Sequence, residues 1–202
     1  MPSRPYRMAR RRESTEETRS RIIAAAREVV GARPGTGRFS VEEVARRAGV
    51  ARMTVYYQFG SLRGLLEALC DSLASAGGMD RLADAFRISA PGEAIDRFIA
   101  VFAGFWESDR DVLRGLGAFA ALDPEFAAVL EERYSWRHKG IGVLLERHAK
   151  QTGRPRPKEM DEVADLLYML TSFSTFDTLA GTRRSSTQVV TMVQRLARRL
   201  LS

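Results

Sequence analysis

Apolar residues recur at helical spacing along nearly the whole chain, and no stretch shows a convincing alternation of period two. The pattern predicts an all-α fold. The first helix is expected from about Thr15 to Val30, with Ile22, Ala26 and Val29 on one face and Ile23 and Val30 widening it. Ser14 or Thr15 can cap it, and the segment GARPGTG from Gly31 stops it. In the next short helix Val41, Val44, Ala45 and Ala48 share a face. Ser40 opens it with a capping box: its hydroxyl accepts from the N–H of Glu43, and the Glu43 side chain returns to the N–H of Ser40. Gly49 supplies a turn that needs positive φ, and a second short helix follows over 51–58. Val50 and Val55 bury that helix against the first, and the small Ala45 allows a close crossing. A fourth helix over 62–75 carries the stripe Leu65, Leu66, Leu69, Leu73 and ends at Gly77-Gly78, the expected hinge.

The rest reads as helix after helix. Residues 79–88 form a short amphipathic helix, and Pro91-Gly92 starts another through Ile95, Phe98, Ile99, Phe102 and Trp106. Helices over 110–122 and 124–151 are divided at Asp123-Pro124, where Asp123 caps and proline takes the first position. TGRPRPK is a loop, and helices over 159–180 and 186–201 close the chain with a break at Gly181. The 159–180 helix is apolar on two sides, which predicts burial on more than one; it also carries Thr171, Ser172, Ser174, Thr175, Asp177 and Thr178.

Charge sharpens this picture. Residues 1–75 hold 14 Arg, no Lys and 8 acids, a balance of +6, whereas 76–202 hold 18 basic and 17 acidic residues, a balance of +1. Nearly all of the net +7 sits beside the two short helices, which favours a polyanionic partner. Residues 1–12, with five arginines, two prolines and no acid, read as a flexible basic arm that lies along nucleic acid or is simply solvated. With the single cysteine Cys70 no internal disulfide forms. Cytoplasm is the expected compartment, and no apolar run predicts a membrane span.

The two short helices have the form of a helix-turn-helix. The second presents Arg52, Thr54, Tyr56, Tyr57 and Gln58, donors and aromatics suited to phosphates and base edges in a major groove. Arg52 and Gln58 are expected to read bases. Ser40, Tyr56 and Tyr57 are expected to position the helix on phosphates, and Thr54 suits either task. Phe39-Ser40, Val44-Ala45, Ala48-Gly49-Val50, Thr54-Val55-Tyr56-Tyr57, Phe59, Ser61 and Leu65-Leu66 together resemble the TetR family of bacterial transcriptional regulators. The resemblance covers about the first third of the chain. It implies a dimeric, repressor-like protein that binds an operator in double-stranded DNA and has a C-terminal domain for dimerisation and a small-molecule effector. The family commonly has a phosphate-touching lysine near the start of the fourth helix. Leu62 stands there in this chain, and Arg63 is the candidate substitute.

The domains expected are thus an arm over 1–12, a helix-turn-helix domain over 13–61, a connecting helix over 62–78 and a ligand-binding and dimerisation domain over 79–202. Aromatics at helical spacing are usually core. The resemblance makes Phe102, Trp106, Phe119 and Phe173 candidates for cavity walls, with Thr171 or Asp177 as a polar anchor. Homodimerisation is expected through the helices about 159–180 and 186–201. An enzyme is disfavoured: His138 and His148 lack metal-ligand spacing, and no GxSxG, Walker-type loop or GxGxxG occurs, so no cofactor is expected. A ligand-independent architectural DNA-binding protein shares every DNA feature and differs in lacking a usable cavity.

Overall fold

The computed structural model describes residues 4–32 and 39–202, with side chains from residue 13 onward. Helices account for the regular structure among the described residues, apart from two single 3-10 turns. The chain divides into two compact units. One takes in the described residues up to Ser72 together with Arg114–Val129; the other comprises Leu73–Leu113 and Leu130–Ser202.

In the first unit, α1 (Arg4–Gly31), α2 (Val41–Ala48), α3 (Arg52–Phe59) and the first part of α4 (Leu62–Ala76) surround a core of Ile22, Ala26, Val30, Val44, Val55, Leu65, Leu66 and Leu69. The start of α1 corrects the expected flexible arm. Residues 4–12 continue the helix, because Pro5 lies in the first turn, where its missing N–H costs nothing, and Arg, Met and Ala are good helix formers. Residues 1–3 and the side chains of 4–12, including the arm's arginines, lie outside the described residues. Ser14 and Thr15 consequently sit inside α1 rather than at its start; the Ser14 carbonyl accepts from the Thr18 hydroxyl at 2.8 Å.

Residues 114–129 belong to this first unit, although the sequence pattern assigns them to the C-terminal domain. They comprise most of α7 (Arg110–Ala120) and the start of α8 (Pro124–Thr152), joined where Asp123 Oδ1 accepts from the N–H groups of Glu125 at 2.9 Å and Phe126 at 3.2 Å. Phe39, Phe119 and Phe126 form a closed aromatic triad with centroids 5.7–5.9 Å apart. Gly115 lies directly against the backbone of Val30, where an added Cβ would overlap the Val30 carbonyl.

In the second unit, α5 (Leu82–Arg87), α6 (Pro91–Ser108), the later part of α8, α9 (Met160–Leu170), α10 (Phe173–Ala180) and α11 (Ser186–Leu200) enclose their own core. It contains Ile95, Phe98, Ile99, Phe102, Trp106, Leu144, Leu145, Leu167, Phe176, Val189 and Val193. The helix expected over 159–180 is two helices. It breaks at Thr171-Ser172, where Ser172 turns extended and caps α10 by accepting from the Thr175 N–H at 3.1 Å. In the sequence Ser172 and Thr175 look like polar decoration; their spacing is that of a cap and the third residue it serves. Ser185 and Gln188 form a reciprocal capping box at the start of α11. Gln194 and Arg198 tie α11 to Asp96 of α6, at 3.0 Å to its carbonyl and 2.5 Å to its carboxylate.

Candidate functional site

In the first unit, the turn between α2 and α3 is built as the sequence requires. Gly49 has φ 64° and ψ 38°, the left-handed region where a side chain would be strained. Its N–H and that of Val50 return to carbonyls of the last turn, Val50 to Ala45 at 3.0 Å, so the helix end is satisfied as the chain reverses. Ser40 caps α2 by accepting from the Glu43 N–H at 3.2 Å. The second half of the expected capping box is replaced. The Glu43 carboxylate turns to Arg46, which donates to it at 2.5 and 3.0 Å, with Arg47 at 3.6 Å. The Arg46 hydrogen bond, then the charges of Arg46 and Arg47, hold the Glu43 carboxyl below its usual range. Two nearby cations outcompete one backbone N–H.

On α3, Val55 faces the core, and the opposite side is open. Met53 is 73% and Tyr57 84% exposed, Arg52 is exposed, and Thr54, Tyr56 and Gln58 are half-buried. Ala51 precedes α3 without a side-chain cap, so the first N–H groups of the helix remain available to an anion such as a phosphate. Arg52 is held rather than loose: Nη1 lies 2.6 Å from Glu42 Oε1 on α2, and Nη2 donates to the Tyr56 hydroxyl at 3.1 Å. The Tyr56 hydrogen bond and the Glu42 charge push its guanidinium further above its ordinary value. Arg63 pairs with Glu67 one turn on, at 2.8 Å.

Two residues of this surface escape sequence reasoning. Met53 has no place in the core pattern or among the polar contacts, yet it is as exposed as the neighbouring candidates, and its apolar end suits a thymine methyl group. Arg19 of α1 donates to the Gln58 carbonyl at 2.9 Å and stacks over the Phe59 ring at 4.4 Å, holding the C-terminal end of α3. Nothing in its spacing distinguishes Arg19 from the other arginines of α1.

Glu42 competes with any polyanion for Arg52. Glu42→Gln is therefore expected to raise affinity for random duplex DNA several-fold while leaving thermal stability nearly unchanged, since exposed ion pairs contribute little. Fluorescence anisotropy with a non-specific duplex checks this; an unchanged or weakened affinity would mean that Glu42 holds Arg52 in its binding pose.

The second unit contains the other candidates. Phe102, Trp106 and Phe173 are brought together, with centroid separations of 5.8 Å and 5.6 Å along the series. Phe119 is not among them; it belongs to the aromatic triad of the first unit, because the α7 segment that carries it packs there. Asp177 is tied by two hydrogen bonds from Arg110 at 2.7 and 3.0 Å, so an existing cation already engages this proposed anchor. Thr171 is buried, and the helix break frees its carbonyl, which accepts from Trp106 Nε1 at 2.9 Å and Arg137 Nη1 at 2.7 Å. Arg137, unremarkable in the sequence, is only 5% exposed. Two voids of about 10 Å³ each flank Thr171, one bounded by Phe102, Trp106, Phe176 and Val189, the other by Phe98, Ile141 and Leu167. Each has room for about one water.

A helix-turn-helix with an open second helix in an arginine-rich unit has the form of the DNA-binding modules of transcription regulators. Residues 22–69 match the bacterial regulatory proteins of the tetR family. It is 39% identical over 64 residues to the HTH-type transcriptional regulator TtgR of Pseudomonas putida, a match spanning 32% of this chain and 30% of that regulator. Similar solved structures include a protein from Saccharomonospora viridis in complex with choline, with 19% identity, TM-score 0.68 and coverage of 92% of this chain and 98% of that one. A TetR-like transcriptional regulator from Rhodococcus sp. RHA1 has 20% identity, TM-score 0.67 and coverage of 90% and 94%. These likenesses extend the shared fold over most of the chain. Among the described residues no helix is long and apolar enough to cross a membrane.

Proposed function

We propose that the protein is a homodimeric repressor that places α3 of each subunit in the major groove of one operator half-site and is released by a small apolar or amphipathic ligand. The observation that carries this reading is the exposed face of α3, where Arg52, Met53, Tyr56 and Tyr57 stand outward from a buried Val55. Dimerisation through the helices about 159–180 and 186–201 is supported by half-exposed apolar groups on them, Met169 and Leu196. Arg52 and Gln58 read bases; Ser40, Tyr56, Tyr57 and Arg63 act on the phosphates, with Thr54 beside them. Phe102, Trp106, Phe173 and Thr171 border the effector site.

The voids beside Thr171 are too small for a ligand, so the ligand-bound state must be more open. An effector then acts by selecting that state and shifting the population away from the one that binds DNA. The regulator class of the similar proteins favours this reading over a ligand-independent architectural role.

Selection of preferred sequences from a random duplex pool, with Arg52→Ala in parallel, tests the reading. A pseudo-palindrome with half-sites about one helical turn, or a multiple of it, apart is expected. Arg52→Ala is expected to cost about 1–3 kcal/mol and to relax one position in each half-site. Enrichment of a single half-site, together with sedimentation of a monomer at micromolar concentration, would remove the dimeric model.

A further inference from the structure

We propose that the effector of the C-terminal unit is an anion with an apolar body, an aryl or alkyl carboxylate, whose charge is met by Arg137. The inference rests on the reading above that this unit takes a small-molecule effector, and it names the chemical class of that effector.

Arg137 lies on α8 inside a ring of aromatics. Its guanidinium carbon is 4.1 Å from the Tyr168 centroid, 5.7 Å from Tyr134, and 5.8 Å from both Phe102 and Trp106. One hydrogen bond reaches the Thr171 carbonyl, and the guanidinium lies against the Tyr168 ring. Both groups are neutral. Three carboxylates of the neighbouring helices are engaged elsewhere: Asp96 with Arg198, Asp165 with His138, Asp177 with Arg110. Nε of Arg137 is buried and has no hydrogen-bond partner; Asp96 Oδ1 is the other such side-chain atom among the described residues.

A guanidinium offers five N–H donors in a planar fork. Burying one without a counter-charge is costly, and burial accordingly pushes the Arg137 guanidinium below its ordinary value. A well-packed apolar side chain of similar volume would satisfy the same core at lower cost. The freed Thr171 carbonyl also has the Trp106 N–H, so this one bond is a weak reason for a buried cation, whereas recognition of an anion would use the whole fork. A carboxylate would supply the missing counter-charge and pair with the free Nε–H through charge-assisted hydrogen bonds. A cationic ligand is disfavoured, because the ring faces that would hold it are already occupied by Arg137 itself. The surrounding aromatics and the two voids, lined almost wholly by apolar side chains, call for an apolar body on the same molecule. Room for it comes from widening those voids on either side of Thr171, next to the point where α9 and α10 have already given up continuous helix.

The test uses the full-length protein, with its operator binding measured alongside. Benzoate, 3-phenylpropionate and octanoate are compared with their neutral amides and with phenyltrimethylammonium by thermal shift and titration calorimetry. At least one carboxylate is expected to raise Tm, to bind roughly tenfold or more tightly than its amide, and to weaken operator binding. Arg137→Met is expected to abolish the preference for carboxylate over amide while keeping the ligand-free Tm at or above that of the wild type. Arg137→Lys, which keeps the charge without the fork, is expected to retain part of that preference. Equal binding of carboxylate and amide, preference for the ammonium compound, or no binding by any of the three carboxylates overturns the proposal. An amide or ammonium compound that stabilises the wild-type protein and releases the operator would overturn it and leave the repressor reading standing. Failure of the wild-type protein to bind any selected duplex would instead remove the repressor reading.

Discussion

Raising salt from about 50 mM to about 200 mM is expected to weaken DNA binding by a factor on the order of 10³. A duplex releases condensed counterions when protein cations neutralise its phosphates, so affinity falls linearly with the logarithm of salt. The charge for this is in place: residues 1–75 carry a balance of +6, all of their cations are arginine, and a dimer doubles the number. Several of these arginines are already committed within the protein. Arg46 and Arg47 face Glu43, Arg52 faces Glu42, and Arg63 faces Glu67. Each such pair is exposed and thus cheap to exchange for a phosphate. The measurement is the slope of log affinity against log salt for operator and random duplex. About six phosphate contacts in the dimer give a slope near −5 by the counterion-release relation. A slope near zero would mean that the arginine surface does not meet the backbone, and the major-groove placement of α3 would go with it.

Gly115→Ala is expected to destabilise the N-terminal unit by about 2 kcal/mol or more, while Gly117→Ala, two residues along the same helix, is expected to stabilise it by up to about 1 kcal/mol. Taken as helix residues alone, both substitutions should help, since alanine loses less backbone entropy than glycine. Their surroundings reverse one sign. A Cβ at Gly115 would overlap the Val30 carbonyl of α1, a backbone atom that cannot swing aside, whereas nothing lies within 4 Å of a Cβ at Gly117. Denaturant unfolding followed by far-UV circular dichroism separates the outcomes. Gain of stability in both variants would mean that α7 does not pack on α1 in solution. DNA affinity of Gly115→Ala is expected to fall together with stability, because the same unit presents α3.

Particular elements show where local information is sufficient. Gly49 reads as a turn residue and adopts the left-handed backbone predicted for it, since the constraint is a property of that residue and its neighbours. The Leu65, Leu66, Leu69 stripe of α4, Val44 of α2 and Val55 of α3 are buried as the periodicity requires, while Val50 is only half-buried. Asp123 caps α8 as its place before Pro124 indicates. The break at Thr171-Ser172 is not legible because apolar periodicity runs straight through it, and a capping serine in a polar stretch looks like any other serine. Arg19, Met53 and Arg137 are hidden for a different reason. Their significance lies in what comes near them from distant parts of the chain, or in what fails to.

The all-helical class, the helix-turn-helix with its family resemblance, and the concentration of positive charge beside it can all be read from the residues. All of these follow from residue spacing, turn chemistry and composition, which act over a few neighbours. Folding in three dimensions is what packs residues 114–129 with the N-terminal unit, joins Phe119 to Phe39 and Phe126 rather than Trp106, and buries Arg137 without a counter-charge. Periodicity says which face of a helix is apolar but not which partner covers it. A charged residue within a helix reads as exposed until distant aromatics are folded around it.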